Sequence, residues 1–178
     1  MVSENGKEDG LSYPLIIAMK GSSSTEKSEL ATKLASFLQY PLIDEGDIIL
    51  ALKSSIPSFS STEDYEEELP LKIVSQICST QISLKLHVIV NSELSQRAHF
   101  EHLVQLASSE GASLLIIDCE AQNGDALYDA GDVPKLNIDV LKPFVLEEFV
   151  HAILQAAEFP QGNVSNQLWE NNSTRSLE

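Results

Sequence analysis

Arginine is nearly absent from this chain. Of its 178 residues only Arg97 and Arg175 carry a guanidinium, the planar cation that grips anions with two parallel hydrogen bonds. Basic residues are scarce altogether, 11 against 27 acidic ones, for a net charge of −16. Such a field repels phosphate backbones and anionic headgroups, which excludes constitutive binding to nucleic acid or to an acidic membrane surface. Cysteine is limited to Cys78 and Cys119, both in apolar surroundings. Two thiols build neither a disulfide framework nor a zinc site, so a reducing compartment, the cytoplasm, fits them best. Long apolar runs are missing as well: none reaches the roughly 20 residues of a membrane-spanning helix. The opening MVSENGKEDG is polar and acidic and lacks the charged-then-apolar order of a secretory signal. The glycosylation-type tripeptides at Asn163, Asn171 and Asn172 are then chance matches. No internal repeat is evident.

What is present is concentrated between Leu15 and Phe37. An apolar run, Leu15 to Met19, reads as a buried strand. It meets a turn of small residues, Gly21 to Thr25. Beyond it Leu30, Ala31, Leu34, Ala35 and Leu38 recur at helical spacing. The turn follows the order Gly, four residues, Gly, Lys, Ser or Thr of a phosphate-cradling loop at seven of eight positions: Gly21, Ser22, Ser23, Ser24, Thr25, then Glu26 where the second glycine belongs, then Lys27 and Ser28. In such a loop the N–H groups at a helix start point at the anion, and the helix dipole favours negative charge there. Lys27 would meet the outer phosphates and the Ser28 hydroxyl would hold Mg²⁺. Glu26 opposes this. A carboxylate about 5 Å from a phosphate charge costs roughly 3 kcal/mol at an effective dielectric near 20, unless it turns into water or meets Lys20. The alternative is an ordinary strand, turn and helix with a capping serine or threonine.

Patterning divides the chain into a disordered lead (1–12), one domain (13–158) and a disordered Asn- and Ser-rich tail (159–178) in which Trp169 could dock. Within the domain it predicts strands at 14–20, 40–43, 87–90, 112–117 and 136–140. Helices are expected at 27–39, from 48 to about 53, at 70–85 with Pro70 in the first turn, from a Ser95 cap to Ser109 with Gly111 as a stop, and at 146–157. Ser54 to Glu68 reads as a solvated loop. Its acidic stretch Tyr65–Glu68 is read as a solvated face, with a partner-binding segment as the other reading. Strands alternating with helices argue for a parallel sheet covered on both faces, with ligands beyond the carboxyl ends of the strands. Gly21, Asp44, Asn91 and Asp118 mark those ends.

Over residues 13–157 the chain resembles the P-loop kinases of the zeta-toxin and polynucleotide-kinase kind, and most of all the ATP-binding kinase-like proteins of plants. The resemblance rests on Gly21–Ser28, on Pro41-Leu42-Ile43-Asp44, on Asn91-Ser92 with Ser95-Gln96-Arg97, and on Tyr128 with Gly131-Asp132-Val133-Pro134-Lys135-Leu136. It implies a three-layer α/β P-loop NTPase fold with a five-stranded parallel sheet of order 2-3-1-4-5. It also implies phosphoryl transfer from ATP, with Mg²⁺, to a small-molecule acceptor.

The departures describe a degenerate, lid-deleted member. Glu26 replaces a glycine and Ile49 an arginine. Asn91 stands where the family often has an aspartate that organises Mg²⁺. The connection 119–133 has 15 residues and no Arg or Lys, where the family carries a longer, arginine-bearing lid. Asp47 is the candidate general base, with helix capping as its other reading. Asn91, with Ser28, is the candidate Mg²⁺ organiser, or else a strand-end asparagine bonded to the loop backbone. Arg97 is the candidate phosphate contact, or else an exposed helical arginine. His87, His99, His102 and His151 lack metal-ligand spacing and are expected at the surface or on the rim of the site. Two functions follow. One is an ATP-binding kinase-like protein with residual phosphoryl transfer. The other is a catalytically inactive kinase fold acting as a scaffold or regulatory partner for another protein. A plain NTP hydrolase lacks motif support.

Overall fold

Apolar runs without polar alternation become strands buried on both faces. In the computed structural model, which describes residue 11 and residues 13–60, 64–119 and 129–158, the first of these is β1 (Leu15–Lys20). Its side chains alternate between two cores. Leu15, Ile17 and Met19 pack with Leu30 and Leu34 of α1 (Thr25–Leu38) and with Phe149 and Ile153 of α5 (Leu146–Glu158). Ile16 and Ala18 pack with Val74, Cys78 and Ile82 of α3 (Asp64–Ser83) and with Phe100 and Leu103 of α4 (Arg97–Glu110). The period-two alternation of one strand thus creates three layers.

The remaining strands are β2 (Leu42–Asp44), β3 (Val88–Asn91), β4 (Ser113–Asp118) and β5 (Lys135–Asn137). All pairings are parallel, in the order β2-β3-β1-β4-β5, which is the 2-3-1-4-5 sheet expected. Register aligns Met19 with Asn91, Asp44 with Asn91, and Lys20 with Asp118. The polar strand ends therefore form one row along the carboxyl edge.

Several boundaries differ from the sequence expectation. Helix α1 begins at Thr25 because Ser24 is extended and its Oγ accepts the Lys27 N–H at 3.1 Å, an N-cap. Glu26, unlike glycine, is at home in a first helical turn. Asp44, not Asp47, caps α2 (Glu45–Ser55): its Oδ1 accepts the Gly46 N–H at 2.8 Å. A cap must leave a strand in extended geometry, and Asp44 is the residue that does. A Cβ at Gly46 would lie 3.0 Å from that oxygen. Helix α3 starts six residues before Pro70 rather than at it, so Asp64 to Glu68 is helical rather than loop. The proline withdraws one N–H, and an exposed Glu68–Lys72 pair at 3.0 Å spans the gap at i, i+4. Helix α4 is preceded by Gln96, without a side-chain cap bond, in place of Ser95. Gly111 ends it at φ 65° as expected. β5 is shorter than expected, and the last helix matches. The lead save Leu11, the tail with Trp169, Tyr128 and most of the connection 119–133 lie outside the described residues.

One distant contact pins the start of the sheet. The Leu15 N–H donates to His87 Nδ1 at 3.0 Å, and the His87 ring lies 4.8 Å from that of Tyr40. Leu15 is 1% exposed, so water cannot replace the acceptor. His87→Ala should lower unfolding free energy by about 1–3 kcal/mol, read from the urea midpoint at unchanged m-value.

Burial also sets the chemistry of Cys78, which is fully buried, and pushes its thiol up to about 12 from an ordinary 9.0. The unfolded thiol loses its proton near pH 9 and the native one does not. Above pH 9 the native state therefore holds the extra proton, and stability falls by about 1.4 kcal/mol per pH unit from this group. Urea titrations of wild type and Cys78→Ala should show their stability difference moving in the variant's favour from pH 9.0 upward.

Candidate functional site

At the end of β1 the chain turns at Gly21, whose φ of 136° suits only glycine. Its N–H donates to the Glu93 carbonyl at 3.1 Å. Ser22 to Ser24 complete the turn, and α1 then presents its N-terminus to the carboxyl edge of the sheet. Helix geometry leaves the N–H groups of Thr25 and Glu26 without intrahelical acceptors.

Lys27, one turn into α1, is 3% exposed. Its Nζ folds back over the turn and donates to the Gly21 carbonyl at 2.8 Å and the Ser92 carbonyl at 2.6 Å. Burial lowers its pKa; Cys119, Glu93, Asp44 and Glu45 act in the opposite direction. The ammonium is thus held above the loop and ringed by acidic groups.

Opposite stand two carboxylates from the β2–α2 junction. Asp44 Oδ2 accepts from Asn91 Nδ2 at 2.8 Å while Oδ1 caps α2. Glu45, 9% exposed, accepts the Ser92 hydroxyl. The bond to Asp44 fixes the orientation of the Asn91 amide, whose Oδ1 is then buried with no protein partner. A cavity of about 440 Å³ opens here, within the range of small-molecule sites. Ser23, Lys27, Ser28, Asp44, Glu45 and Asn91 line its floor; Ile49 and Lys53 of α2, Pro70 of α3 and His99 of α4 contribute its walls.

The structure brings Ser23, Lys27, Ser28 and Asn91 to one cavity, with Gly21 and Ser24 shaping the turn beside them. It does not bring in the rest. Asp47 is exposed on α2 and outside the cavity, where it neither caps the helix nor faces the site. Arg97 is exposed and pairs with Glu101 at 2.7 Å on its own helix. Ser22, Thr25 and Glu26 are exposed and off the cavity lining. Lys20 pairs with Asp118 at 3.5 Å rather than with Glu26. His99 sits on the rim, and His102 and His151 are exposed, as expected.

Sequence reasoning missed Glu45, Ser92 and Glu93 as site residues, and it took Asp44 as a strand end and a residue of the family motif without giving it a part in the chemistry. The strand-end rule already pointed at Asp44. Nothing local marks Glu93, which meets the loop across 70 residues of chain.

Among the described residues no cluster of three His, Cys, Asp or Glu side chains could hold a metal. Mg²⁺ needs no such cluster, because it keeps waters and shares its shell with ligand phosphates; Ser28 Oγ and the unpartnered Asn91 Oδ1 are the cavity oxygens that could serve it. Among the described residues no helix is long and apolar enough to cross a membrane.

No family model matches the chain, and no curated protein matches it significantly. Solved structures do match. A candidate kinase from Chloroflexus aurantiacus superposes with a TM-score of 0.63 at 16% identity, covering 82% of this chain and 96% of that one. The APS kinase of Mycobacterium tuberculosis, also solved with AMPPNP and APS bound, gives 0.58 at 14% identity over 82% and 98% of the two chains. A gluconokinase from Sinorhizobium meliloti gives 0.51 at 18% over 82% and 93%. At these identities the likeness is one of fold: the chain shares the parallel 2-3-1-4-5 sheet and flanking helices of the P-loop kinases.

Proposed function

We propose that the chain binds ATP with its phosphates over the Gly21–Ser28 turn and phosphorylates a small molecule held in the adjoining cavity. The observation that carries this reading is Lys27. Its ammonium, 3% exposed, spans the loop and β3 at the head of a cavity and is bonded there to two carbonyl oxygens. Those are neutral acceptors, and a buried ammonium gains more from the charged oxygens of a phosphate.

In this reading Lys27 leaves its two carbonyls for phosphate oxygens. The Ser23 N–H and the N–H groups of Thr25 and Glu26 add donors from the helix start. Mg²⁺, when bound, would neutralise charge between phosphate oxygens, with Ser28 Oγ as a direct ligand and Asn91 Oδ1 holding one of its waters. Asp44 takes the role of base that the sequence suggested for Asp47. Its carboxylate is fixed by the Gly46 N–H and Asn91 Nδ2, faces the cavity and keeps lone pairs for an acceptor hydroxyl. Glu26 lies in water, where solvent screens its repulsion. Arg97 has no role. The zeta-toxin and polynucleotide-kinase motifs support that lineage within the P-loop kinases, and Cys78 and Cys119, neither in a disulfide, suit the cytoplasm.

Thermal melting tests the proposal. Mg-ATP at a hundred times its dissociation constant stabilises by about 2.7 kcal/mol, which should raise the midpoint by roughly 5–10 °C. No rise at millimolar nucleotide would favour the inactive scaffold.

A further inference from the structure

The segment that leaves β3 is bound at Ser92 and Glu93 to β1 and to the turn and helix start that follow it. Ser92 donates its N–H to the Met19 carbonyl at 3.3 Å, and its own carbonyl accepts Lys27 Nζ at 2.6 Å. The Glu93 carbonyl accepts the Gly21 N–H at 3.1 Å. Leu94 is 1% exposed and sits at φ 45°, a region that side-chain-bearing residues rarely adopt. Burial of the leucine holds this bend. With the backbone so fixed, the Glu93 side chain lies over the loop, and its Oε1 accepts the Ser23 N–H at 3.4 Å. Glu93 also stands among the charged groups facing Lys27 and lines the cavity.

A carboxylate here has the charge and the acceptor oxygens of a phosphate, and it takes a donor that a phosphate would need. We propose that Glu93 is a tethered competitor: its carboxylate occupies the anion cup of the loop and must swing out before a ligand phosphate can enter. The side chain is exposed, so the released carboxylate has water to move into. The backbone contacts of residues 92–94 do not depend on the charge and stay in place. This inference rests on the phosphate-loop reading and concerns what keeps that loop occupied without ligand. It assigns Glu93 a role as a brake on anion binding, not as a catalytic residue.

The test is a calorimetric titration with inorganic tripolyphosphate of wild type, Glu93→Gln and Glu147→Gln. Glu147 is exposed on α5 and outside the cavity lining, so its variant controls for net charge. The Ser23 amide is followed by NMR in parallel. If the cup is occupied about nine-tenths of the time, removing the competitor tightens binding about tenfold. Glu93→Gln should show that gain and Glu147→Gln should not. The Ser23 amide resonance should shift in Glu93→Gln before any ligand is added. Equal affinity in wild type and Glu93→Gln overturns the competitor and leaves the phosphate-loop reading standing. An equal gain in Glu147→Gln overturns it as a general charge effect. Silence of all three proteins at millimolar tripolyphosphate overturns both, because a loop that takes no phosphate leaves Glu93 nothing to compete with.

Discussion

Lys27→Met should abolish the rise in melting midpoint expected with Mg-ATP. Methionine replaces the buried methylene stem and removes only the ammonium. A charge about 4 Å from a phosphate is worth roughly 4 kcal/mol at an effective dielectric near 20, so affinity should fall on the order of a thousandfold. At nucleotide concentrations that saturate wild type, the variant should melt as if none were present. The variant without ligand is the control for folding. It leaves the Gly21 and Ser92 carbonyls without their donor but no longer buries a cation, and these effects oppose each other.

The same residue dictates a pH dependence. Burial lowers the Lys27 pKa in the folded chain below 10.5, so the native state sheds this proton first on the way up. Between the native value and 10.5 the unfolded chain holds more protons. Wild type therefore gains stability relative to Lys27→Met as pH rises through that window. Nucleotide affinity should fall over the same interval, because the ammonium that attracts phosphate is being lost. Paired melting curves with and without Mg-ATP, from neutral pH to 10.5, check both signs.

Phe149→Ala should lower the unfolding free energy by about 3–5 kcal/mol. Phe149 is fully buried on α5, in the same core as Leu115, Ile117 and Leu136, with its ring edge-on to Phe144 at 5.8 Å. Alanine there leaves a cavity that a three-layer core closes poorly. For a domain of this size the midpoint should fall by roughly 6–20 °C. Leu141→Ala is the comparison: Leu141 is 77% exposed, so its variant should stay within about 0.5 kcal/mol of wild type. A small effect at Phe149 would mean that α5 is not packed on β4 and β5 as described.

The readings that held were those written in local periodicity. Leu15–Met19 and Ser113–Ile117 are apolar runs too short for buried helices and too continuous for exposed strands. The Leu146–Ala157 stretch alternates its apolar residues at helical spacing, and Gly111 has a stop to make. Strand, small-residue turn and helix in that order already implied a turn at Gly21 that runs into a helix start. The readings that failed were choices between near neighbours. Asp44 and Asp47 are both acidic residues beside a helix start, and which one caps depends on where β2 stops pairing with β3. Pro70 suits a first turn, yet α3 runs on ahead of it, as only the packed helix reveals. Arg97 is one residue from a site-lining glutamine, but helical geometry turns it toward Glu101.

What the sequence determined by itself is the layered parallel sheet and the helix start at its carboxyl edge. Both follow from side-chain period and from backbone groups that every strand-turn-helix exposes. What only the tertiary structure decided is who shares the loop. Ser92 and Glu93 reach Gly21, Ser23 and Lys27 because β3 lies beside β1 and Leu94 is buried at a bend. Contacts made across a sheet have no periodicity along the chain to announce them.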